Sequence, residues 1–429
     1  MTAIPPAASA QATPPFTFEA ARAPHWFAVL MIVLFALLLP VGYLGDEGEA
    51  LVTAVGGAAA LSFVLQRRLP PVGVVILTLL TAWAVASFAW SPLAPLQAHP
   101  HTYNQLQALT APKLVFQLVL DCAFVSGALK LSTGPRTRAM TWLAWTLWAA
   151  VAVLMLDGLA QGQITGVLSA MSGKPLTPDI AKRNAARGCY AVALMFWPAA
   201  LFTWRKVPAG VPVVIGGLIV ASSLLLGVDA PAAAMILSLL VFAGVRMEAR
   251  LGAWACAVGA GVYVLAAPLV FLPHGAAAPP DLPSDVGKLS WHVRLDVWRF
   301  ASRLIAHRPL LGYGLDSSRA FEPNIPMHPH DMALQLWLEL GVPGALLGAL
   351  FFGWLFYKVA RLARSDPAWA AVACATGSVY LLIGAISFGV WQEWWLALGA
   401  AAVAACGMLL QVRREAVAVE LPPDGLVAL

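Results

Sequence analysis

Residues 331–357 read DMALQLWLELGVPGALLGALFFGWLFY. Asp331 and Glu339 are the only charged residues in this stretch, which is long and apolar enough to cross a bilayer as a helix. Comparable apolar runs recur along the whole chain, so we predict an all-α, polytopic integral membrane protein with about twelve transmembrane helices. The predicted spans are residues 26–44, 50–66, 71–91, 112–131, 139–157, 188–204, 209–228, 231–245, 251–271, 331–357, 368–389 and 392–411.

The composition agrees with this class. Of the 429 residues, 60% are hydrophobic and 11% are charged, which is more apolar than a soluble core requires. The five cysteines all fall in predicted spans without the spacing of metal ligands, which indicates core packing. No Lys/Arg-rich tail or RNA-binding motif is present, so nucleic acid is not an expected partner. We expect neither a metal nor a cofactor.

The distribution of Lys and Arg predicts the orientation. An even number of spans places both termini on one side, and the positive-inside rule makes that side the cytoplasm. The predicted organisation is a cytoplasmic tail (1–25), nine spans with an outer loop at 158–187 (26–271), a large outer loop (272–330), three spans (331–411) and a cytoplasmic tail (412–429).

The cations on the outer side are clustered. The first outer loop holds Lys174, Lys182, Arg183 and Arg187, and the second holds Lys288, Arg294, Arg299, Arg303, Arg308 and Arg319. Because membrane proteins normally keep Lys and Arg on the cytoplasmic side, these clusters indicate that an anionic ligand docks outside.

Residues 291–306 of the large loop, WHVRLDVWRFASRLIA, have the pattern of an amphipathic helix. Its apolar stripe comprises Trp291, Leu295, Trp298, Ser302 and Ile305, and the opposite stripe comprises His292, Asp296, Arg299 and Arg303. Arg294 falls on the edge of the apolar stripe, where a charge is costly unless it meets a partner. This position separates Arg294 from the solvated arginines.

Arg187 lies just before an apolar run that begins at Cys189, in a helix predicted to start at Thr177-Pro178-Asp179. The helix dipole does not favour a cation near a helix start. One reading of Arg187 is a snorkelling anchor at the membrane interface, and the other is an anion-binding residue.

His330 directly precedes the tenth predicted span. The positive end of that helix favours a neutral ring that can accept a proton. The alternative is an interfacial histidine that only bonds a loop carbonyl. Proline in the segment Gly341-Val342-Pro343-Gly344 predicts a kink about 16 Å below His330 along a straight helix, and the two glycines allow close approach of a neighbouring segment.

These residues resemble a known family. His330-Asp331 followed by Gly341-Val342-Pro343-Gly344, together with Arg294 and the Pro309–Gly314 turn, is similar to the O-antigen ligase and O-antigen polymerase superfamily, and most of all to O-antigen ligases. The family usually has Asn, Ser or Gln where this chain has Asp331.

The resemblance implies a metal-independent, inverting glycosyltransferase of the bacterial inner membrane, with periplasmic outer loops. It would move O-antigen polysaccharide from undecaprenyl diphosphate to a sugar hydroxyl of lipid A–core, in contact with membrane lipids. The implied catalytic residue is His330, the donor-binding residues are Arg187, Arg294, Arg183 and Lys182, and supporting roles are open to His328, Asp331 and Tyr313.

Three alternatives remain open from the sequence. A polymerase of the same superfamily would use a carrier-linked glycan as acceptor, and a protein O-oligosaccharyltransferase would use a Ser or Thr hydroxyl. The alternative that is not an enzyme is a transporter of polyprenyl-linked glycan, which would be expected to place charges along a path at mid-membrane.

Overall fold

The computed structural model describes residues 23–44, 48–64, 71–93, 110–272 and 291–420. Within these ranges the chain is helical and contains no strand. Its helices are α1 (His25–Leu44), α2 (Glu49–Val64), α3 (Val72–Ser87), α4 (Thr110–Leu129), α5 (Thr133–Leu159), α6 (Gln163–Met171), α7 (Pro178–Thr203), α8 (Gly210–Leu225), α9 (Asp229–Met247), α10 (Ala249–Phe271), α11 (Trp291–His307), α12 (Met332–Leu362), α13 (Pro367–Ile386) and α14 (Glu393–Glu420).

The predicted fold class is confirmed. Each predicted span overlaps one helix, and α6 and α11 are additional helices that lie in the two predicted outer loops. In the described part of the chain, ten helices are long and apolar enough to cross a membrane, while α2 and α8 are apolar but have only 16 residues each. The predicted amino-terminal tail lies almost entirely outside the described residues, and α14 continues into the predicted carboxyl-terminal tail.

The bundle has two ends. We call the end at which α7, α9, α12 and α14 begin the site end, and the opposite end the far end. α7 is the central helix, since every residue from Gly188 to Ala200 is buried and the helix packs against α1, α5, α8, α9, α13 and α14. A helix that is buried on all sides holds its polar residues inside the protein.

α12 is broken at Gly341, whose φ of 62° and ψ of −157° are not helical. Glycine adopts this conformation without the penalty that a side chain would bring. The predicted kink is therefore present, but its centre is Gly341 and not Pro343. Pro343 lies in the first turn of the second helical segment, where a missing N–H group is tolerated.

The Pro309–Gly314 turn bonds the backbone groups released at this break. The N–H of Gly314 donates to the carbonyl of Glu339 at 2.8 Å, and the N–H of Val342 donates to the carbonyl of Pro309 at 2.9 Å. The turn thus replaces part of the lost helical ladder, as buried backbone groups require. The two segments that carry the family resemblance form one backbone unit.

The glycines allow this contact, as the sequence predicted. A Cβ atom on Gly341 would lie 2.4 Å from the carbonyl oxygen of Leu310, and one on Gly312 would lie 2.7 Å from the carbonyl carbon and oxygen of Glu339. Both distances are shorter than any tolerated contact with a methyl group.

The first segment of α12 folds back beside the second. A Cβ atom on Gly348 would lie 2.6 Å from Cδ1 of Leu336, although twelve residues of straight helix would separate these positions by about 18 Å. The expectation that His330 lies about 16 Å above the break is therefore wrong. Asp331 instead contacts Tyr263, which is eight residues, or about 12 Å, before the end of α10.

Candidate functional site

The loop before α12 holds His330 in an unusual backbone conformation. Its φ is 58°, in the left-handed region that residues other than glycine rarely adopt. The N–H of His330 donates to Nδ1 of His328 at 3.0 Å, and Nδ1 of His330 lies 2.9 Å from the carbonyl oxygen of His328. Such a conformation costs free energy and persists only where surrounding contacts hold it. The two hydrogen bonds to His328 are contacts of this kind.

These contacts define the protonation of the His330 ring. A carbonyl oxygen can only accept, so Nδ1 of His330 carries the proton and Nε2 of the neutral ring has a free lone pair. Burial, and after it the positive charge of Arg294, lowers the pKa of His330 to about 4, while the bond to the His328 carbonyl opposes this shift. The ring bonds a loop carbonyl, yet its other nitrogen remains available as a proton acceptor.

α11 has the predicted amphipathic packing. Trp298, Ser302 and Ile305 of the predicted stripe are buried, whereas Trp291 at the helix start is 43% exposed. Nε1 of Trp298 donates to the carbonyl oxygen of Pro329 at 2.9 Å. This hydrogen bond attaches α11 to the loop that carries the histidines.

Arg294 on α11 lies near enough to the histidine loop for its charge to lower the pKa of His330. Its Nε is buried without a hydrogen-bond partner among the described residues, and its guanidinium lies 5.4 Å from the ring centre of Trp291. Burial lowers the pKa of Arg294, while Tyr190 and Asp229 oppose that shift. Arginine nevertheless stays charged in proteins, so the site holds a partly buried cation.

Arg187 lies on the other wall of the site, on α7. It is three residues from Tyr190, which is buried and interacts electrostatically with Arg294. Residues three apart in a helix lie on one face, so Tyr190 is a neighbour of Arg187 and is also near enough to Arg294 to interact with it. Gly188 packs beside Tyr43, near the site end of α1, so Arg187 lies close to the end of the bundle.

The two other predicted donor-binding residues lie one turn further toward the start of α7. Arg183 is exposed, while Nζ of Lys182 donates to Oε1 of Gln161 in the turn between α5 and α6. Arg183 is four residues from Arg187 and shares its face of the helix. A donor-binding role for Lys182 and Arg183 stays a prediction. Thr177 occupies the position before α7 as predicted, but its hydroxyl makes no capping hydrogen bond.

Asp331 caps α12. Its Oδ1 accepts from the N–H groups of Ala333 (2.8 Å) and Leu334 (3.0 Å) and from the hydroxyl of Tyr263 (3.1 Å). Burial raises the pKa of Asp331 to about 7. All three groups donate to the same oxygen, Oδ1 of Asp331. The oxygen of an amide or hydroxyl side chain can also accept hydrogen bonds at a helix start. This explains how Asp occupies a position where the family usually has Asn, Ser or Gln.

Tyr313 and Glu339 have structural contacts. The hydroxyl of Tyr313 donates to the carbonyl of Leu304 at 3.3 Å, and its ring meets Phe321 edge to face. The buried carboxylate of Glu339 accepts hydrogen bonds from Ser318, Gln335, Trp391 and the N–H of Asp316, at 2.6 to 3.0 Å. Glu339 thus joins α12 to the loop before it and to the turn before α14.

The structure also brings residues to the site that sequence reasoning missed. Tyr190 lies inside a predicted span, and Gln392 is the first residue of the last predicted span, 392–411. The observed turn between α13 and α14 comprises residues 387–392, and Gln392 contacts His328. The sequence shows that each is a polar residue in an otherwise apolar segment, which indicates a functional or structural contact. It does not show which residue each one contacts.

The residues present do not suggest a metal centre. Among the described ranges, no group of three His, Cys, Asp or Glu side chains could hold a metal ion. His328 and His330 lie close together, with ring centres 4.2 Å apart, but Nδ1 of each ring is engaged within the loop.

Residues 182–349 match the family model described as O-antigen ligase. This central part of the chain resembles the O-antigen ligase family. All the predicted site residues, from Lys182 to Asp331, lie inside the matched region of this family. The match also covers the break in α12 and the turn that binds it.

Curated relatives of this chain bear names of candidate polysaccharide ligases. A protein of Rickettsia conorii is 33% identical over 122 residues, covering 25% of this chain and 29% of the relative, and one of Rickettsia prowazekii is 35% identical over 124 residues with the same coverage. The match spans less than a third of the length of these relatives. The family model and the names of these relatives both refer to ligases.

Proposed function

We propose that this protein transfers O-antigen polysaccharide from undecaprenyl diphosphate to a sugar hydroxyl of lipid A–core, at the periplasmic face of the bacterial inner membrane. The observation that carries the proposal is the placement of a neutral His330, with Nε2 free, beside the partly buried Arg294. A proton acceptor and an unsatisfied cation are the two groups that displacement of a diphosphate by a hydroxyl needs.

The reaction follows from this arrangement. The acceptor hydroxyl gives its proton to Nε2 of His330 while its oxygen attacks the anomeric carbon of the donor. The bond from that carbon to the diphosphate breaks, and both of its electrons leave with the diphosphate. Arg294 and Arg187 stabilise the leaving charge by charge-assisted hydrogen bonds, in place of a divalent metal. A single displacement inverts the anomeric centre.

The bound diphosphate also improves the base. A pKa of about 4 makes His330 a weak proton acceptor in the empty site. Because Arg294 contributes to the low pKa, a diphosphate that neutralises Arg294 raises the pKa of His330 toward its ordinary value. The donor therefore activates the residue that deprotonates the acceptor.

The site end suits a lipid-linked donor. Arg187 lies close to the end of the bundle, and the α12 segment at residues 332–340 folds back beneath the histidine loop. A polyprenyl chain can lie against the apolar helices while its diphosphate reaches the arginines.

The lipopolysaccharide of a deletion strain tests the proposal. Loss of capped lipopolysaccharide with accumulation of carrier-linked polymer, restored by the wild-type protein and not by His330→Ala, is the expected result. Loss of chain length alone would indicate the polymerase. In vitro, transfer should persist in EDTA, and a requirement for added Mg²⁺ or Mn²⁺ would contradict the arginine-only treatment of the diphosphate.

A further inference from the structure

Gln392, in the turn between α13 and α14, contacts the ring of His328, and the hydrogen bonds of that ring decide which end of the Gln392 amide faces it. Its amide nitrogen Nε2 lies 3.0 Å from Nε2 of His328, while its amide oxygen Oε1 is buried without a partner among the described residues. The two ends of an amide differ only in which atom is nitrogen and which is oxygen, so their assignment follows from the hydrogen bonds.

The ring of His328 decides this assignment. Its Nδ1 accepts the N–H of His330 at 3.0 Å, so Nδ1 carries no proton and the neutral ring has its proton on Nε2. That Nε2–H group needs an acceptor. Rotation of the Gln392 amide by half a turn places Oε1 against it, which replaces a contact between two donors by a hydrogen bond and moves the amide nitrogen to the position that Oε1 held.

His328 remains neutral in this setting. It is buried, and burial lowers its pKa well below the ordinary value, with further effects in the same direction from His330 and Arg319. A charged His328 would carry a proton on Nδ1 and could no longer accept the N–H of His330.

We propose that Gln392 is a positioning residue, which accepts a hydrogen bond from His328 and so fixes the tautomer that holds His330 in its left-handed conformation. The inference rests on the proposed function. The chain of contacts runs from the amide of Gln392 through the ring of His328 to the backbone of His330, and it leaves Nε2 of His330 directed to the acceptor.

The turn that carries Gln392 is itself held in place. The N–H of Val390 donates to Oε1 of Gln335 at 2.8 Å, and a Cβ atom on Gly389 would lie 3.0 Å from the ring of His328. The turn therefore packs directly on the histidine ring. A rigid turn can impose the orientation of one side chain on its neighbour.

Three variants test the proposal through the transfer reaction. Gln392→Met keeps the size of the side chain and removes the acceptor, so kcat should fall about ten-fold or more while KM for the carrier-linked donor stays unchanged. Gln392→Glu restores an acceptor and should recover most of kcat at alkaline pH. Gln411→Met is the matched control on α14, the helix that follows Gln392, because Gln411 bonds the carbonyl of Leu129 at the far end and should leave kcat unchanged.

The pH profile separates positioning from simple packing. The carboxylate of Gln392→Glu favours a charged His328 and so raises the pKa of that ring. As the pH falls, Nδ1 of His328 should therefore become protonated, and activity should be lost, at a higher pH in this variant than in the wild type. Equal kcat for Gln392→Met and the wild type, or a Gln392→Glu variant no better than Gln392→Met at every pH, would overturn the proposal.

A measurement without substrate distinguishes this proposal from the proposed function. In ¹⁵N spectra of histidine-labelled protein, the signals lost in His328→Asn should show a protonated Nε2 and an unprotonated Nδ1, and Gln392→Met should disturb them. A protonated Nδ1 on His328 in the wild type would overturn the role of Gln392, whether or not the protein transfers glycan. Absence of transfer by the wild type with the expected tautomer would overturn the proposed function alone.

Discussion

Nε1 of Trp298 donates a hydrogen bond to the carbonyl oxygen of Pro329 at 2.9 Å. Through this bond, the helix that carries Arg294 is attached to the loop that carries His330. In the proposed mechanism, the distance between the diphosphate bound to Arg294 and Nε2 of His330 therefore depends on the buried indole of Trp298.

Trp298→Phe should slow transfer without unfolding the protein. The change keeps an aromatic ring in the core and leaves the carbonyl of Pro329 without its donor, which costs about 1–3 kcal/mol. We expect a fall in kcat of roughly ten-fold, measured with purified protein. Trp369→Phe is the matched control, since Nε1 of Trp369 donates to the carbonyl of Cys406 at the far end of the bundle. Equal effects of both changes would mean that indole loss acts through general packing.

Arg294→Lys should be severely impaired, whereas Arg299→Ala should be mild. Lysine keeps the charge but lacks the planar fork that binds two phosphate oxygens. Arg299 is exposed and pairs only with Asp296 at 3.2 Å, an interaction worth little at a surface. The measurement is donor affinity together with transfer rate. Similar losses in both variants would indicate a diffuse basic surface and not a specific clamp.

Asp331→Asn should remain active, because an amide oxygen can accept the three hydrogen bonds that Oδ1 now accepts. Its pH dependence should differ from that of the wild type. Asp331, with its pKa raised to about 7, loses its proton as the pH rises through neutrality, and this transition should vanish in Asp331→Asn.

The same variant isolates His330. The ring is the active base only when unprotonated, and its pKa in the empty site is about 4. The value of kcat/KM reports the free enzyme, so the pH at which it falls on the acid side should lie well below the ordinary pKa of histidine. The acid limb of kcat should lie at higher pH, because the bound diphosphate raises the pKa of His330. Coincident limbs near the ordinary histidine value would show that neither burial nor Arg294 acts on the ring.

Gly341→Ala should be more damaging than Pro343→Ala. An alanine at residue 341 places a Cβ atom 2.4 Å from the carbonyl oxygen of Leu310 and disfavours the φ of 62°. Pro343 lies after the break, and the hydrogen bonds of the Pro309–Gly314 turn hold the break in addition to any effect of the proline. Thermal stability and transfer rate should both fall for Gly341→Ala. Gly259→Ala is the control, since an added Cβ atom there has no neighbour within 4 Å. A larger loss for Pro343→Ala would mean that the proline makes the break.

The sequence predicted the fold class and much of the site for identifiable physical reasons. Hydropathy marks a span because the bilayer requires about twenty apolar residues, and the α11 stripe is visible because helical periodicity places Trp298 and Ile305 on one face. The position of Arg294 on the edge of that stripe separated it correctly from Arg299, which is exposed.

Other features depend on contacts between distant segments, which periodicity does not encode. Gly341 allows the first segment of α12 to fold back, and this moved His330 from its expected place. The roles of Tyr190 and Gln392 arise because α7 and the turn before α14 meet the histidine loop in space. A glycine in a span predicts only that a close approach is allowed, not which segment makes it.

The central claim is that His330 accepts the proton of the acceptor hydroxyl while the arginines hold the diphosphate. Its most direct test is transfer of glycan from undecaprenyl diphosphate to lipid A–core by purified protein in lipid nanodiscs, comparing the wild type with His330→Ala. We predict a loss of roughly 10²–10⁴-fold in kcat with donor affinity and thermal stability unchanged. Transfer by His330→Ala at the wild-type rate would contradict the account.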